Sequence, residues 1–372
     1  MSTTAVRINS IQWLRGIAAS AVVLAHWSST AEKHGIHVPG VTGHSMGGWG
    51  VDLFFVISGF IMMLLTERNS GRLAETLEFW KARVLRVAPL YWIVTTTIIV
   101  LAIARPGSTT EYRFGALHAL ASYLFVAMAD ARGHVEPVLR VGWTLNLEMY
   151  FYLVFGLLLL LPRRLLLAAT ALWASGLFLL GCAVKFETPF LLTATSPYIL
   201  EFTAGVFLGH LHLSNRRLPN VLALLAILAG AAALIADDIA GLGVHGSWRF
   251  GVPAVLILAG CVNLEATRLF GFEARWPNRL GDWSYAMYLT HVPALAAFGK
   301  FAQSQHLDAR VPWPMLLALD LAFACLVAFL THVLVEKPIA RWISRIRRAK
   351  PSPRVQAAGA PLAAGAWASG NR

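Results

Sequence analysis

Long apolar stretches follow one another along almost the whole chain and are separated by shorter polar segments. A helix needs about 20 mainly apolar residues to cross the roughly 30 Å hydrocarbon layer of a membrane. Charged residues make up only 13% of the sequence, whereas soluble globular proteins carry about 25%. The sequence therefore predicts an all-α membrane protein. About ten crossings are predicted, near 10–28, 49–66, 87–104, 143–161, 165–184, 196–212, 219–236, 250–264, 281–300 and 313–336.

The distribution of basic residues predicts that both termini are cytoplasmic. Short cytoplasmic loops of membrane proteins are enriched in Lys and Arg. Ten crossings from an inner N-terminus place most of the 31 Lys and Arg residues on that side. A full crossing at 114–129 would move Arg163, Arg216 and the basic C-terminal segment outside, so we expect that stretch to be re-entrant or interfacial. The prediction from this charge distribution is a multi-pass membrane protein with both termini on the cytoplasmic side.

Residues 1–348 are predicted to form one integral membrane domain, and 349–372 a disordered cytoplasmic tail rich in Ala, Gly and Pro. The net charge of +12 is explained by basic residues at the inner leaflet, so no nucleic-acid partner is expected. No metal is expected either, because neither the cysteines nor the histidines of the first long loop have metal-ligand spacing. These residues are Cys182, Cys261, Cys325, His34, His37 and His44.

The first crossing carries Arg15 and His26, eleven residues apart. Eleven helical steps make about three turns, so both side chains project from one face with about 16 Å between them along the axis. Ionisable groups inside a membrane helix usually face a cavity or a partner and mark function. The alternative is that Arg15 extends to the lipid head groups and His26 lies at the other interface.

Three carboxylates are predicted at a depth similar to that of His26, near the outer face. Asp52 begins the second crossing, Glu148 lies early in the fourth, and Glu201 enters the sixth. Their agreement in depth indicates a polar site between helices. The alternative for each is a buried hydrogen bond that joins two helices, which membrane bundles use freely.

Two further groups have helical spacing. Arg83 and Arg86 lie one turn apart at the inner end of the third crossing and could present two guanidinium forks to a phosphate, with Arg15 completing an anion site. The alternative is ordinary cytoplasmic positive charge. Ser284, Tyr288 and His291 share one face of the ninth crossing and are candidates for binding a polar substrate, although a structural histidine is also possible.

In this order, several stretches resemble the acyltransferase-3 family of integral membrane acyltransferases, over about residues 10–340. They are LRGIAASAVVLAH, GVDLFFVISGFIM, RVLRVAPLYW, GWTLNLEMYFYL, YILEFTAGVFLG, GDWSYAMYLTHVP and VEKP. The fourth stretch is most similar to members that acetylate bacterial exopolysaccharides. Many relatives have two adjacent acidic residues there, whereas Met149 follows Glu148 in this chain.

The resemblance implies transfer of an acyl group, most often acetyl, from acetyl-CoA or another acyl-CoA to a hydroxyl of an envelope polysaccharide or its lipid-linked precursor. It implies that Arg15, Arg83 and Arg86 bind the donor, and that His26 is the catalytic imidazole. The residues themselves agree, since guanidinium groups suit the phosphates of CoA and a neutral imidazole can accept a hydroxyl proton near pH 7.

A carboxylate, Glu148 or Asp52, is expected to orient His26, and Glu201 is grouped with Ser284, Tyr288 and His291 as substrate-binding. Direct attack of the hydroxyl and an acylated His26 that carries the group both remain open. The competing hypothesis is a transporter or flippase for a sugar or lipid, which would use the same intramembrane groups as a substrate path.

Overall fold

The computed structural model describes residues 8–33, 47–104, 114–240, 247–266 and 275–349. The loop histidines His34, His37 and His44 and the predicted tail from residue 350 onward lie outside these ranges. Within them the chain is helical, apart from turns and one isolated antiparallel bridge between Ala129 and Val135. The prediction of an all-α protein is confirmed for this part of the chain.

The described residues form thirteen α-helices, numbered here in chain order. Pro189 and Pro314 lie in the first turns of α7 and α12, where a proline removes no helical hydrogen bond. A π-helical turn, His332–Glu336, connects α12 to α13. The helices are α1 Asn9–Lys33, α2 Gly50–Leu65, α3 Leu73–Ala104, α4 Ala116–Tyr123, α5 Trp143–Leu158, α6 Arg163–Ala183, α7 Pro189–Ala194, α8 Tyr198–Leu213, α9 Asn220–Ala240, α10 Ser247–Asn263, α11 Arg275–Ser304, α12 Trp313–Thr331 and α13 Lys337–Ala349.

Six helical segments of the described chain are long and apolar enough to cross a membrane, which makes this a multi-pass membrane protein. Helices α2 and α10 are also apolar but shorter, with 16 and 17 residues. Helices α1 and α11, with 25 and 30 residues, are long enough to cross a membrane. Their polar side chains make them less apolar than these six segments. The count of ten crossings and the cytoplasmic termini stay predictions. The six segments are Leu73–Ala104, Arg140–Leu158, Arg163–Ala183, Pro189–Leu213, Asn220–Asp238 and Trp313–Ile346.

The core lies between α2, α5 and α8, whereas α6 and α9 expose apolar side chains outward. Phe151 of α5 stacks on Phe202 of α8 with ring centroids 4.4 Å apart. On the outer helices, Leu172 is 76% exposed and Val221 is 69% exposed. Apolar side chains on the outside suit a hydrocarbon solvent, which agrees with the membrane assignment.

Glycines bring α2 and α8 into backbone contact. A Cβ atom on Gly59 would lie 1.9 Å from the carbonyl oxygen of Phe202, and one on Gly205 would lie 2.0 Å from that of Val56. Membrane helices use such small residues to pack closely, because apolar burial alone does not distinguish a neighbouring helix from lipid. The close approach also brings the N-terminal turns of α2 and α8 together.

Helices α1 and α11 pack in the same way and run in the same direction. A Cβ atom on Gly281 would lie 2.2 Å from the carbonyl oxygen of Gln12, and further along both helices His26 meets His291. Helices α2 and α8 are likewise parallel, since Phe55 contacts Tyr198 and Phe60 contacts His212.

The directions of these two helix pairs indicate whether segment 114–129 crosses the membrane. In the sequence this segment lies between α1 and α11 and between α2 and α8. A full crossing there would reverse every later helix and make both pairs antiparallel. Helix α4, which occupies this segment, has only eight residues and a length of about 12 Å. Its length and the helix directions agree with a re-entrant or interfacial segment.

Candidate active site

A cavity of about 150 Å³ lies between α1, α2, α3, α5 and α11. It collects six of the side chains that the sequence singled out as functional, from four of these helices. Three are guanidinium groups and one is a carboxylate, so its charged lining is predominantly positive. The six residues are Arg15, Arg83, Arg86, Glu148, Ser284 and Tyr288.

Arg86 forms an ion pair with a carboxylate that the sequence did not single out. Its Nη1 donates to Oε1 of Glu336 at 2.7 Å, and its guanidinium carbon lies 5.4 Å from the ring centroid of Tyr285. The other carboxylate oxygen of Glu336 is 2.7 Å from Nδ1 of His332. Glu336 and His332 belong to the π turn, a helix irregularity that is frequent at functional sites.

Arg15 and Arg83 differ from Arg86 in their charge partners. Within the described residues neither of them forms an ion pair, and the Nε atom of Arg83 is buried without a hydrogen-bond partner. Both line the cavity. Their guanidinium groups are therefore the ones with capacity to bind an anion that enters it.

Glu148 faces the arginine-lined cavity. Its Oε1 accepts hydrogen bonds from Ser58 at 3.0 Å and from the hydroxyl of Tyr152, and these two hydroxyl groups lie 2.9 Å from each other. The expectation that a carboxylate touches His26 does not match this geometry. Among the described residues, the hydrogen-bonding contacts of the His26 ring are a backbone carbonyl and a second imidazole.

His26 and His291 form a pair between α1 and α11. Nδ1 of His26 lies 2.9 Å from the carbonyl oxygen of Val22 and 3.3 Å from Nε2 of His291, and the two rings meet edge to face. Nδ1 of His291 lies 3.1 Å from the carbonyl oxygen of Met287. His291 is fully buried, whereas His26 is partly exposed. The sequence placed both residues at the site but did not predict their contact.

Tyr288 connects the cavity to the histidine pair. It lines the cavity, and its ring centroid is 5.9 Å from that of His291. Its hydroxyl donates to the carbonyl oxygen of Val141 at 2.8 Å and lies 2.7 Å from the hydroxyl of Thr144. Ser284, one turn earlier, donates to the carbonyl oxygen of Gly281 at 2.8 Å. These contacts fix the face of α11 that carries Ser284, Tyr288 and His291.

Asp52 and Glu201 lie apart from the residues that line the cavity. They are 0% and 4% exposed, and their carboxyl groups lie close to each other between α2 and α8. The geometry therefore groups the ten predicted side chains into a cavity set of six, an imidazole pair and a carboxyl pair.

Comparisons with known proteins identify the family. The family profile described as "Acyltransferase domain" (Acyl_transf_3) matches residues 8–333. The chain belongs to the acyltransferase-3 family. This acyltransferase is 35% identical to the exopolysaccharide production protein ExoZ of Rhizobium meliloti over 317 residues, which are 82% of the chain and 94% of ExoZ.

Two further relatives show the range of the family. The acyltransferase MdmB of Streptomyces mycarofaciens is 26% identical over 395 residues, covering 95% of this chain and 97% of MdmB. The peptidoglycan O-acetyltransferase OatA of Listeria monocytogenes is 22% identical, and the match covers 89% of this chain but only 56% of OatA. No solved structure matches the chain. The membership makes this protein a membrane-bound enzyme that transfers acyl groups.

Sequence reasoning missed four side chains that hold this acyltransferase's cavity residues in place. Ser58 and Tyr152 bind Glu148, and His332 and Glu336 hold Arg86. The spacing of Glu148 and Tyr152, like that of His332 and Glu336, is four residues, which places each pair on one helix face. The sequence signal that could have found them is a pair of polar residues four positions apart inside an apolar stretch.

Proposed function

We propose that this acyltransferase moves an acetyl group, or another short acyl group, from acyl-CoA to a hydroxyl of an envelope polysaccharide or its lipid-linked precursor. We place it in the inner membrane of a bacterium, with the donor on the cytoplasmic side. The names of its relatives support this choice, since ExoZ is an exopolysaccharide production protein and OatA is an O-acetyltransferase. The observation that carries the proposal is the arginine-lined cavity that adjoins the His26–His291 pair.

The cavity supplies the donor site of the proposal. CoA carries a pyrophosphate and a further phosphate group, and guanidinium groups bind phosphate oxygens through paired, charge-assisted hydrogen bonds. Arg15 and Arg83 have no ion partner among the described residues, while Arg86 is fixed by Glu336. Glu148 balances part of the positive charge when no donor is bound. The donor's phosphates would lie on the arginine side and its thioester toward Tyr288.

The reacting base of the proposal is His26. In direct transfer, the acceptor's hydroxyl oxygen attacks the thioester carbonyl carbon while its proton moves to Nε2 of His26. The C–S bond then breaks, and the departing CoA sulfur takes the proton from that nitrogen. In the alternative route Nε2 itself attacks the thioester carbon, the C–S bond breaks, and CoA leaves as the thiolate. The acceptor's hydroxyl oxygen then attacks the acyl-imidazole, the C–N bond breaks, and the hydroxyl proton neutralises the thiolate. Both routes need an unprotonated Nε2, and the hydrogen bonds of Nδ1 favour that form.

The test is acetyl transfer by the purified protein. The protein in nanodiscs would receive radiolabelled acetyl-CoA and exopolysaccharide from Rhizobium meliloti, treated with base so that any esterified hydroxyl is de-O-acylated, and both CoA release and label on the glycan would be measured. The wild type is expected to release CoA and label the glycan, whereas His26→Ala should lose about 100-fold or more. A wild type that releases no CoA would contradict the proposal and favour a transporter. Normal transfer by His26→Ala would remove this residue from the mechanism.

A further inference from the structure

The hydrogen bonds of the histidine pair determine which nitrogen of each ring carries hydrogen. A backbone carbonyl can only accept, so Nδ1 of His26, at 2.9 Å from the oxygen of Val22, must carry a hydrogen. The same argument applies to Nδ1 of His291, at 3.1 Å from the oxygen of Met287. In a neutral ring the other nitrogen is then bare. Nε2 of His291 is therefore an acceptor, and it lies 3.3 Å from the Nδ1–H group of His26.

The two rings consequently have different tasks. His26 is partly exposed, and its bare Nε2 is the nitrogen that remains for chemistry once Nδ1 is bonded to Val22 and His291. His291 is 0% exposed, and both of its nitrogens are engaged within the helix pair. A fully enclosed imidazole with this bonding is better suited to orient a neighbour than to contact a substrate.

We infer that His291 is a positioning residue for His26, rather than a substrate-binding residue. Together with the Val22 carbonyl it accepts the Nδ1–H group and keeps Nε2 of His26 as the basic nitrogen, and it stabilises the positive ring that forms when Nε2 takes the hydroxyl proton. The inference rests on the proposed function, in which His26 is the base. The arrangement corresponds to the orienting acid of a serine hydrolase triad, with a neutral imidazole in place of the carboxylate.

The packing of α1 on α11 explains how the pair is kept in register. Gly16 and Gly281 let the two backbones touch near the start of the shared interface, and His26 and His291 meet further along it. Tyr288, bonded to Val141, fixes the face of α11 from the side of the cavity. The position of the acceptor nitrogen is thus set by rigid helices.

Two substitutions separate positioning from packing. His291→Leu fills much of the space but offers no acceptor, whereas the amide oxygen of His291→Gln can take the place of Nε2. Using acetyl-CoA and the de-O-acylated Rhizobium meliloti glycan, we expect His291→Leu to lower kcat about 10- to 100-fold, the range of a hydrogen bond to a charged group. The KM values for both substrates should stay within about twofold, and His291→Gln should recover a large part of kcat. The exposed His306 gives the control, His306→Gln, which should behave as the wild type.

A spectroscopic measurement tests the same point without turnover. In protein labelled with ¹⁵N-histidine, the nitrogen shifts of His26, assigned by their loss in His26→Gln, report which nitrogen is protonated. We expect hydrogen on Nδ1 in the wild type and a larger share of the Nε2–H form in His291→Leu, where the Val22 carbonyl remains as the one acceptor for Nδ1–H. Hydrogen on Nε2 in the wild type would overturn the inference.

The kinetic outcomes also distinguish the alternatives. A raised KM for the glycan with unchanged kcat would make His291 a substrate contact. Equal losses in the Leu and Gln variants would mean that only packing matters. If the wild type released no CoA, the proposed function would fail, while the nitrogen shifts would still show whether His291 sets the tautomer of His26.

Discussion

The three arginines of the cavity divide into one fixed residue and two without an ion partner among the described residues. Arg86 is paired with Glu336, which is itself bound by His332, so its guanidinium plane has a defined orientation. Arg15 and Arg83 carry charge into the cavity without such a pair. One fixed guanidinium group beside two adaptable ones suits a ligand with several phosphates. The fixed group can position one phosphate, and the other two can then adjust to bind the rest.

The fork geometry leads to a prediction about the donor. A combined Arg83→Lys and Arg86→Lys change keeps both charges but removes the planar, bidentate groups. We expect the KM for acetyl-CoA to rise about tenfold, which corresponds to about 1.4 kcal/mol of binding free energy. Initial-rate measurements of CoA release would determine it. Arg72→Lys is the control, since Arg72 is exposed and paired with Glu75 outside the cavity. An unchanged KM in the double variant would show that these arginines only contribute positive charge on the cytoplasmic side and do not bind the donor.

At the scale of helices, two interfaces depend on glycine in different ways. The α2–α8 contact supports the core and holds the Asp52–Glu201 carboxyl pair, whereas the α1–α11 contact aligns the imidazoles. Close helix contacts of this kind tolerate almost no added volume, because the obstructing atoms are backbone carbonyls. The two interfaces therefore predict different phenotypes.

Gly59→Ala should destabilise the bundle. The added methyl group would lie 1.9 Å from the carbonyl oxygen of Phe202, and overpacking of this kind costs about 1–3 kcal/mol. Thermal unfolding of the purified protein should show a lower Tm. Gly176→Ala is the matched control in α6, where nothing lies within 4 Å of the added atom. A Tm equal to that of the control would contradict the close α2–α8 contact.

Gly281→Ala should act mainly on turnover. Its methyl group would lie 2.2 Å from the carbonyl oxygen of Gln12, so α1 and α11 must separate and the His26–His291 distance must grow. A displacement of about 1 Å can cost on the order of 100-fold in rate. We expect a loss of this size in CoA release, again measured against Gly176→Ala. Wild-type turnover would show that the site does not depend on this contact.

For the whole molecule, helix directions constrain the membrane topology more strongly than hydropathy does. In the sequence, segment 114–129 lies between α1 and α11 and also between α2 and α8. Because both helix pairs are parallel, an odd number of extra membrane crossings in this segment is incompatible with the helix directions. Alkaline phosphatase fused after residue 135 should therefore be active in the periplasm, and the same fusion after residue 69 should be inactive. A cytoplasmic result at residue 135 would overturn the predicted orientation of the loops.

Periodicity and spacing predicted the parts of this protein that depend on single helices. The apolar stretches matched the observed helices, and the i, i+3 and i, i+4 spacings placed Arg83 with Arg86 and Ser284 with Tyr288 on the cavity. Contacts between helices could not be predicted in this way. Glu148 was expected beside His26 but faces the arginines, since its direction depends on how α5 rotates against α2 and α3. The partnership of Arg86 with Glu336 spans 250 residues and is fixed only by packing.

The histidine pair also has a consequence for how the enzyme is made. His26 and His291 are separated by 265 positions, so the second imidazole leaves the ribosome long after the first helix has been inserted. Until α11 is inserted, a nascent chain contains Arg15, Arg83 and Arg86 but lacks the imidazole partner of His26. Under the proposed mechanism, truncated products that lack α11 should therefore consume the cell's activated acyl groups much more slowly than the intact protein, because no second imidazole orients His26.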